Sequence, residues 1–222
     1  MSSTTKNWET CNHLACHNYW HWALFHIEQE EYDVAIDLFE TEIAKRSLQT
    51  KTMLDTVDTC SLLYRLDLVK PNQYAKLSNW EDAYSLIKDR LNDHILGFND
   101  AHFLMACLGS KRQNEAEEII KTLNERVTDD EWFAVTKKLL EAMIEFNREN
   151  YVKAANQMND IKYDIIKIGG SNAQRDVFNQ LLIFASLKSP LQCHKNLTKS
   201  LLNERKSFKS TPLLDRFFAS IE

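Results

Sequence analysis

The sequence predicts an all-α chain, an α-α superhelix of about five degenerate helical hairpins closed by a short final helix. Two observations carry that prediction. First, the 222 residues include only four Gly and three Pro. Sheets built from hairpins need turn residues every ten or so positions, so an all-β reading fails, while helix formers fill the long stretches. Second, a small residue recurs just inside the start of successive predicted helices, at Ala35, Ala83, Ala116, Ala154 and Cys193. One hairpin cannot bury its own apolar stripe, whereas a stack of them builds a continuous core.

The elements follow in order. A first helix over His13–Glu28 leads through Gln29-Glu30-Glu31 into a second opened by Tyr32-x-x-Ala35. Asn79-Trp80-Glu81-Asp82-Ala83 opens a helix through Arg90, Gln113-Asn114-Glu115-Ala116 one through Leu123, and Asn150-Tyr151-Val152-Lys153-Ala154 one through Ile168. Ser189-Pro190-Leu191-Gln192-Cys193 opens another through Leu202, with Pro190 at a first-turn position that tolerates it. The partners of these helices run over Leu54–Leu68, Asn99–Leu108, Asp130–Phe146 and Asn172–Leu187. Asp130 and Asn172 suit the N-cap, and Asp55 favours a helix start. Ala23 and Ile27 are expected to face Ala35 and Leu38. The hairpins therefore lie at about 13–46, 52–94, 98–124, 130–168 and 172–206, with a capping helix at about 211–220, in a single domain 1–222. Asp67–Asn79 is the longest expected irregular connection, and Gly169-Gly170-Ser171 the clearest helix stop and restart. The small-residue positions are separated by 48, 33, 38 and 39 residues. The tetratricopeptide period is about 34, so the array reads as tetratricopeptide-like but degenerate.

Charge and composition exclude some functions. Acids and bases are interspersed and the net charge is −5, so the chain shows no basic face for nucleic acid. The one basic cluster, Arg205-Lys206-Ser207-Phe208-Lys209, reads as a solvated helix end. No run of eighteen apolar residues offers a membrane span, and the N-terminus carries no apolar signal core. Five cysteines in no zinc-ribbon spacing fit a reducing, cytoplasmic setting. Trp8, Trp20 and Trp22 crowd one end of the array. That end is expected to self-associate into a homo-oligomer unless the 1–10 segment covers it.

Candidate site residues cluster on the first helix of each hairpin. His13, His17 and His21 lie four apart, so a helix projects them from one side. Asp55 and Asp58 lie on the second hairpin, Asn99, Asp100 and His102 on the third, and Arg175 and Asp176 on the fifth. If the first helices line a concave groove, His17, His21, Asp55, Asp58, Asn99, His102, Arg175 and Asp176 converge on it. Three readings compete: a buried hydrogen-bond network, a groove for a peptide or small ligand, and a metal or acid–base site. His17 and His21, one turn apart, are the candidates for a divalent ion such as zinc. Arg175 and Asp176 are expected to tie the fifth hairpin, whereas two imidazoles on one face suit a site better than a core. His26, His94 and His194 read as surface or packing. The chain has no phosphate loop, G-x-G-x-x-G, H-E-x-x-H or G-x-S-x-G. The leading reading is therefore an adaptor that binds a protein or peptide partner, with no cofactor, nucleic acid or membrane. Its alternative is an enzyme or metal protein using the His/Asp/Arg cluster.

Four segments in order also carry a resemblance: His17-Asn18-Tyr19-Trp20-His21-Trp22-Ala23-Leu24; Met53-Leu54-Asp55-x-x-Asp58-x-x-Ser61-Leu62-Leu63-x-Arg65-Leu66; Phe98-Asn99-Asp100-Ala101-His102; and Gly170-Ser171-x-Ala173-Gln174-Arg175-Asp176-Val177-Phe178. Together they resemble the tetratricopeptide repeat protein 38 family over nearly the whole chain. The resemblance implies a helical-repeat fold and brings no settled activity. Members of that family carry further repeats before the matching region, so the chain resembles their C-terminal half.

Overall fold

The computed structural model describes residues 8, 14–126 and 130–221. These residues form an all-α superhelix of paired helices and no strand. Helix α1 is Ala15–Glu28. Helix α2 runs without a break through Tyr32–Leu38, a π-helical turn Phe39–Ile43, and Ala44–Thr50. Then come α3 (Met53–Val69), α4 (Leu77–Ile87), α5 (Gly97–Gly109), α6 (Gln113–Glu125), α7 (Glu131–Asn147) and α8 (Tyr151–Ile161). A 3₁₀ turn (Ile165–Ile168) leads to α9 (Asn172–Lys188), α10 (Gln192–Phe208) and α11 (Pro212–Ala219). No helix among the described residues is long and apolar enough to cross a membrane.

The repeat shows most clearly in its turns. Between α1 and α2, α5 and α6, and α7 and α8, the second linking residue takes a left-handed conformation: Glu30, Lys111 and Glu149, at φ 61, 59 and 63°. In each turn the next amide donates to the carbonyl five residues back: Glu31 to His26 at 2.9 Å, Arg112 to Cys107 at 2.8 Å, and Asn150 to Glu145 at 2.8 Å. This is the Schellman ending that orphan helix carbonyls favour. None of the three residues is glycine, so each turn costs roughly 1–2 kcal/mol of backbone strain.

Small residues let paired helices approach. Ala23, Ala35, Ala83, Ala116 and Ala154 are all fully buried, and Ile27 and Leu38 lie in the same core as Ala23 and Ala35. Cys193, the fifth expected member, is exposed instead. Helix α10 starts at Gln192, with Leu191 at its N-cap, which leaves Pro190 outside the helix and Cys193 on its open side. Cys16, Cys60 and Cys107 are buried thiols. Cys11, His13 and most of the 1–10 segment lie outside the described residues. Trp8 packs edge-on against Tyr19 and Trp22, with ring centroids at 5.1 and 6.1 Å, and so covers part of the aromatic end.

Several boundaries differ from expectation. Helix α4 ends at Ile87 rather than Arg90, which makes 88–96 a longer connection than 70–76. There His94 turns at φ 44° and buries its ring. The helix opened at Tyr151 stops at Ile161 and restarts as the 3₁₀ turn. Ser171, not Asn172, caps α9: its hydroxyl accepts from the Gln174 amide and the Gln174 side chain accepts from the Ser171 amide. The preceding Gly169 and Gly170 turn at φ 99 and 78°. A side chain at Gly170 would strike the Phe98 ring.

First helices stack in sequence, α1 on α3, α3 on α5, and α5 on α7. Helix α9 departs from this order. It packs on α8 and reaches across the array onto α3. Helix α11 packs on both α10 and α1, so the last element meets the first. The inner surface that an open array would offer is occupied by α9.

Candidate functional site

The polar residues on the inner helices meet around the first turns of α9. His17 donates from Nδ1 to the fully buried Asp58 carboxylate at 2.7 Å, and the Gln174 amide donates to its other oxygen at 3.4 Å. Burial raises the Asp58 pKa, although His17 and Gln174 pull the other way. The hydrogen bond to Asp58 raises that of His17. The His17 ring stacks on Trp20 and meets His21 edge-on, with the two imidazole centroids 4.6 Å apart. His21 has no hydrogen-bond partner among the described residues. Burial, then the nearby His17 and Arg65 charges, lowers its pKa. The two imidazoles therefore titrate on opposite sides of the ordinary value.

Other candidates go elsewhere. Asp55 faces α2, accepting from the Thr50 hydroxyl at 2.5 Å in the first turn of α3. Asp100 lies 3.3 Å from His94 Nδ1 on the side facing the α4–α5 connection. Asn99 is buried nearby. His102 is fully buried, and its Nδ1–H donates to the Phe98 carbonyl at 2.6 Å. Burial drives its pKa down to about 3, so it is a neutral core imidazole rather than an acid–base group. His194 is a packing residue too, bonded to Ser189 and Asn156. His26 bonds Glu31 across the first turn.

Arg175 and Asp176, adjacent in sequence, part company. Arg175 donates to the Gly169 and Gly170 carbonyls and, at 2.6 Å, to Asn172 Oδ1. Asp176 receives Arg205 through both oxygens, at 2.5 and 2.8 Å. Arg205 also binds Glu28 at 2.7 Å, and Glu28 accepts from Lys209 at 2.6 Å and the Thr211 hydroxyl at 2.9 Å. Burial would lift the Asp176 carboxyl, but Arg205 holds it down at about 2. The basic cluster read as a solvated helix end is thus, in part, the seam that locks α10 to α1 and α9. Arg205 turns inward because Asp176 and Glu28 wait there, partners some 29 and 177 residues away that no local pattern announces.

Arg65, which is not among the site candidates expected from the sequence, sits at the centre of the site. It is 1% exposed and lies over the Trp20 ring. It donates to Ser61, to the Ala173 carbonyl at 2.8 Å and to the Gln174 carbonyl at 3.4 Å. Burial lowers its pKa to about 10, which leaves it charged at neutral pH, while Asp176 and Asp58 act on it only from a distance. The available signal was an Arg placed inside the run Leu62-Leu63-Tyr64-Arg65-Leu66.

Two clefts flank the start of α9. One, of about 600 Å³, is lined by His21, Phe25, Glu28, Arg65 and Thr211 among others. The other, of about 420 Å³, lies between the 3₁₀ turn and α10 and is lined by Tyr163, Ile166, Arg175 and Phe208 among others. They share Asn172, Asp176 and Lys209 and form one groove across α9. Among the described residues no group of three or more His, Cys, Asp or Glu side chains is placed to hold a metal ion. No family model and no solved structure matches the chain.

Proposed function

We propose that this chain is a helical-repeat adaptor that binds a protein or peptide partner in the groove crossing the start of α9. The single observation carrying this reading is the groove itself: Arg65 and Arg175 line it, and neither is neutralised by a carboxylate within bonding reach. A purely structural lattice pairs its buried charges, as Arg205 does here. The inner surface first expected to take the partner holds α9, so the binding surface moves to the flanks of that helix. Selection of a random displayed-peptide library on the purified protein tests the reading. A bound pool is expected whose binding is lost in Phe208→Ser, a change at an exposed groove residue. A protein that selects no peptide, or only peptides indifferent to Phe208→Ser, would contradict it.

A second reading has its own observation. His17, its Nδ1 anchored by a buried carboxylate and His21 beside it, has the second-shell arrangement of a metal-binding imidazole. Zinc titration of untagged protein tests it: one equivalent bound by wild type and none by His17→Ala/His21→Ala would favour it. The buried thiols of Cys16, Cys60 and Cys107 support a cytoplasmic setting. Kinship with the tetratricopeptide repeat protein 38 family is part of the same proposal. A solved member of that family whose helices failed to superpose on α1–α9 would end it.

A further inference from the structure

The chain carries a net charge of −5, yet the groove across α9 is cationic. Five basic side chains line it (Arg65, Lys162, Arg175, Arg205 and Lys209) against three acids (Glu28, Asp176 and Glu204). Two of those acids are spent, because Arg205 binds both Asp176 and Glu28 and Lys209 binds Glu28. Arg65, at 1% exposed, and Arg175, at 9%, make no ion pair among the described residues. Both donate to carbonyl, amide or hydroxyl oxygens. Such dipoles solvate a guanidinium without cancelling its charge, and a buried, uncancelled charge favours an anion brought from outside. A second feature lies at the same place. Tyr163, Ile166 and Phe208, on the rim of the Arg175 cleft, are 75, 62 and 84% exposed. Large apolar side chains left this open around a concave surface mark a docking site. Lys162 Nζ sits 4.6 Å from the Tyr163 ring and adds charge beside the apolar rim.

The geometry points to an acidic peptide segment as the occupant of this groove, its carboxylates against Arg175 and Lys162, with the buried charge of Arg65 behind them, and a bulky apolar side chain against Tyr163, Ile166 and Phe208. This inference rests on the partner-binding reading and adds the chemistry of the partner. Nucleic acid is the weaker fit. Its regular phosphates ask for a continuous basic track, and here Glu28, Asp176 and Glu204 interrupt the groove.

The displayed-peptide selection separates the two levels, because its second readout is the composition of the selected pool. The expected pool is enriched in Asp and Glu next to Leu, Phe or Trp. A synthetic peptide from it should bind by fluorescence anisotropy. Changing its acids to the amides should weaken it about tenfold, and added salt should weaken it further. Lys162→Glu and Phe208→Ser, both away from the core, should each reduce affinity several-fold without changing the helical circular dichroism. A neutral or basic pool that still needs Phe208 would overturn the acidic assignment and leave the adaptor reading standing. Tighter binding of oligothymidylate than of the acidic peptide would also overturn it. The absence of any groove-dependent pool would remove both.

Discussion

Arg205 in the seam and Arg65 in the groove both hold their guanidiniums out of solvent, and they are satisfied in opposite ways. Arg205 holds two carboxylates, Asp176 and Glu28, and through them joins α10 to α9 and to the end of α1. Arg65 holds the hydroxyl and carbonyl of Ser61 and two carbonyls of α9, with no carboxylate in reach. The difference separates a charge kept for cohesion from a charge kept at some cost. Removing one partner of a buried ion pair strands a charge, whereas removing Arg65 frees only neutral carbonyl and hydroxyl oxygens, a smaller loss.

The seam should show the largest effects. Asp176→Ala leaves Arg205 with Glu28 alone and should cost about 3 kcal/mol, near the lower end for breaking a buried pair because the Asp176 carboxylate is partly open to solvent. A thermal melt checks this, and an unchanged midpoint would break the comparison. The same residue sets an acid limb. With its folded pKa held near 2, Asp176 contributes stability that is complete above its unfolded pKa of about 3.9 and is lost as pH falls toward 2. In Asp176→Asn the loss of stability between about pH 5 and pH 2 should be shallower than in wild type, by urea titration at each pH.

The smallest effect lies on the groove side. His17 should titrate above the ordinary histidine value and His21 below it, by NMR of the ring protons. The His17–Asp58 contribution is then present below about pH 6.5 and fades as pH rises through the folded His17 value. Asp58→Asn should bring His17 back toward the ordinary value. Two imidazoles titrating together would contradict the geometry.

Much of this was legible in the sequence, and the rest was not for identifiable reasons. Ala23, Ala35, Ala116 and Ala154 announced the helix pairs because close approach demands small residues. Gly169-Gly170 announced the break before α9 because both turn at positive φ. The Glu30, Lys111 and Glu149 turns use the same geometry without glycine, so their repeat is visible only in the backbone. His17 and Asp58 do meet, as their placement on first helices suggested. His102 did not join them, because an i+4 position on α5 points it into the core beside Phe98 and Phe178. Arg205 does not read as buried from the sequence because one partner, Asp176, lies on the preceding helix and the other, Glu28, near the far end of the chain. The crossing of α9 onto α3 had no local signal, since the residues that meet there, such as Arg65 and Ala173, are more than a hundred positions apart.

Urea denaturation of Arg205→Met beside Arg65→Met tests the central claim, that these two buried arginines serve different ends. The expected result is a loss of about 3 kcal/mol for Arg205→Met, which takes from Asp176 its bonded cation and leaves Glu28 to Lys209 and Thr211, and a change within about 1 kcal/mol for Arg65→Met. Equal, large losses in both would mean that Arg65 is as structural as Arg205, and the groove would lose its claim to be a binding site.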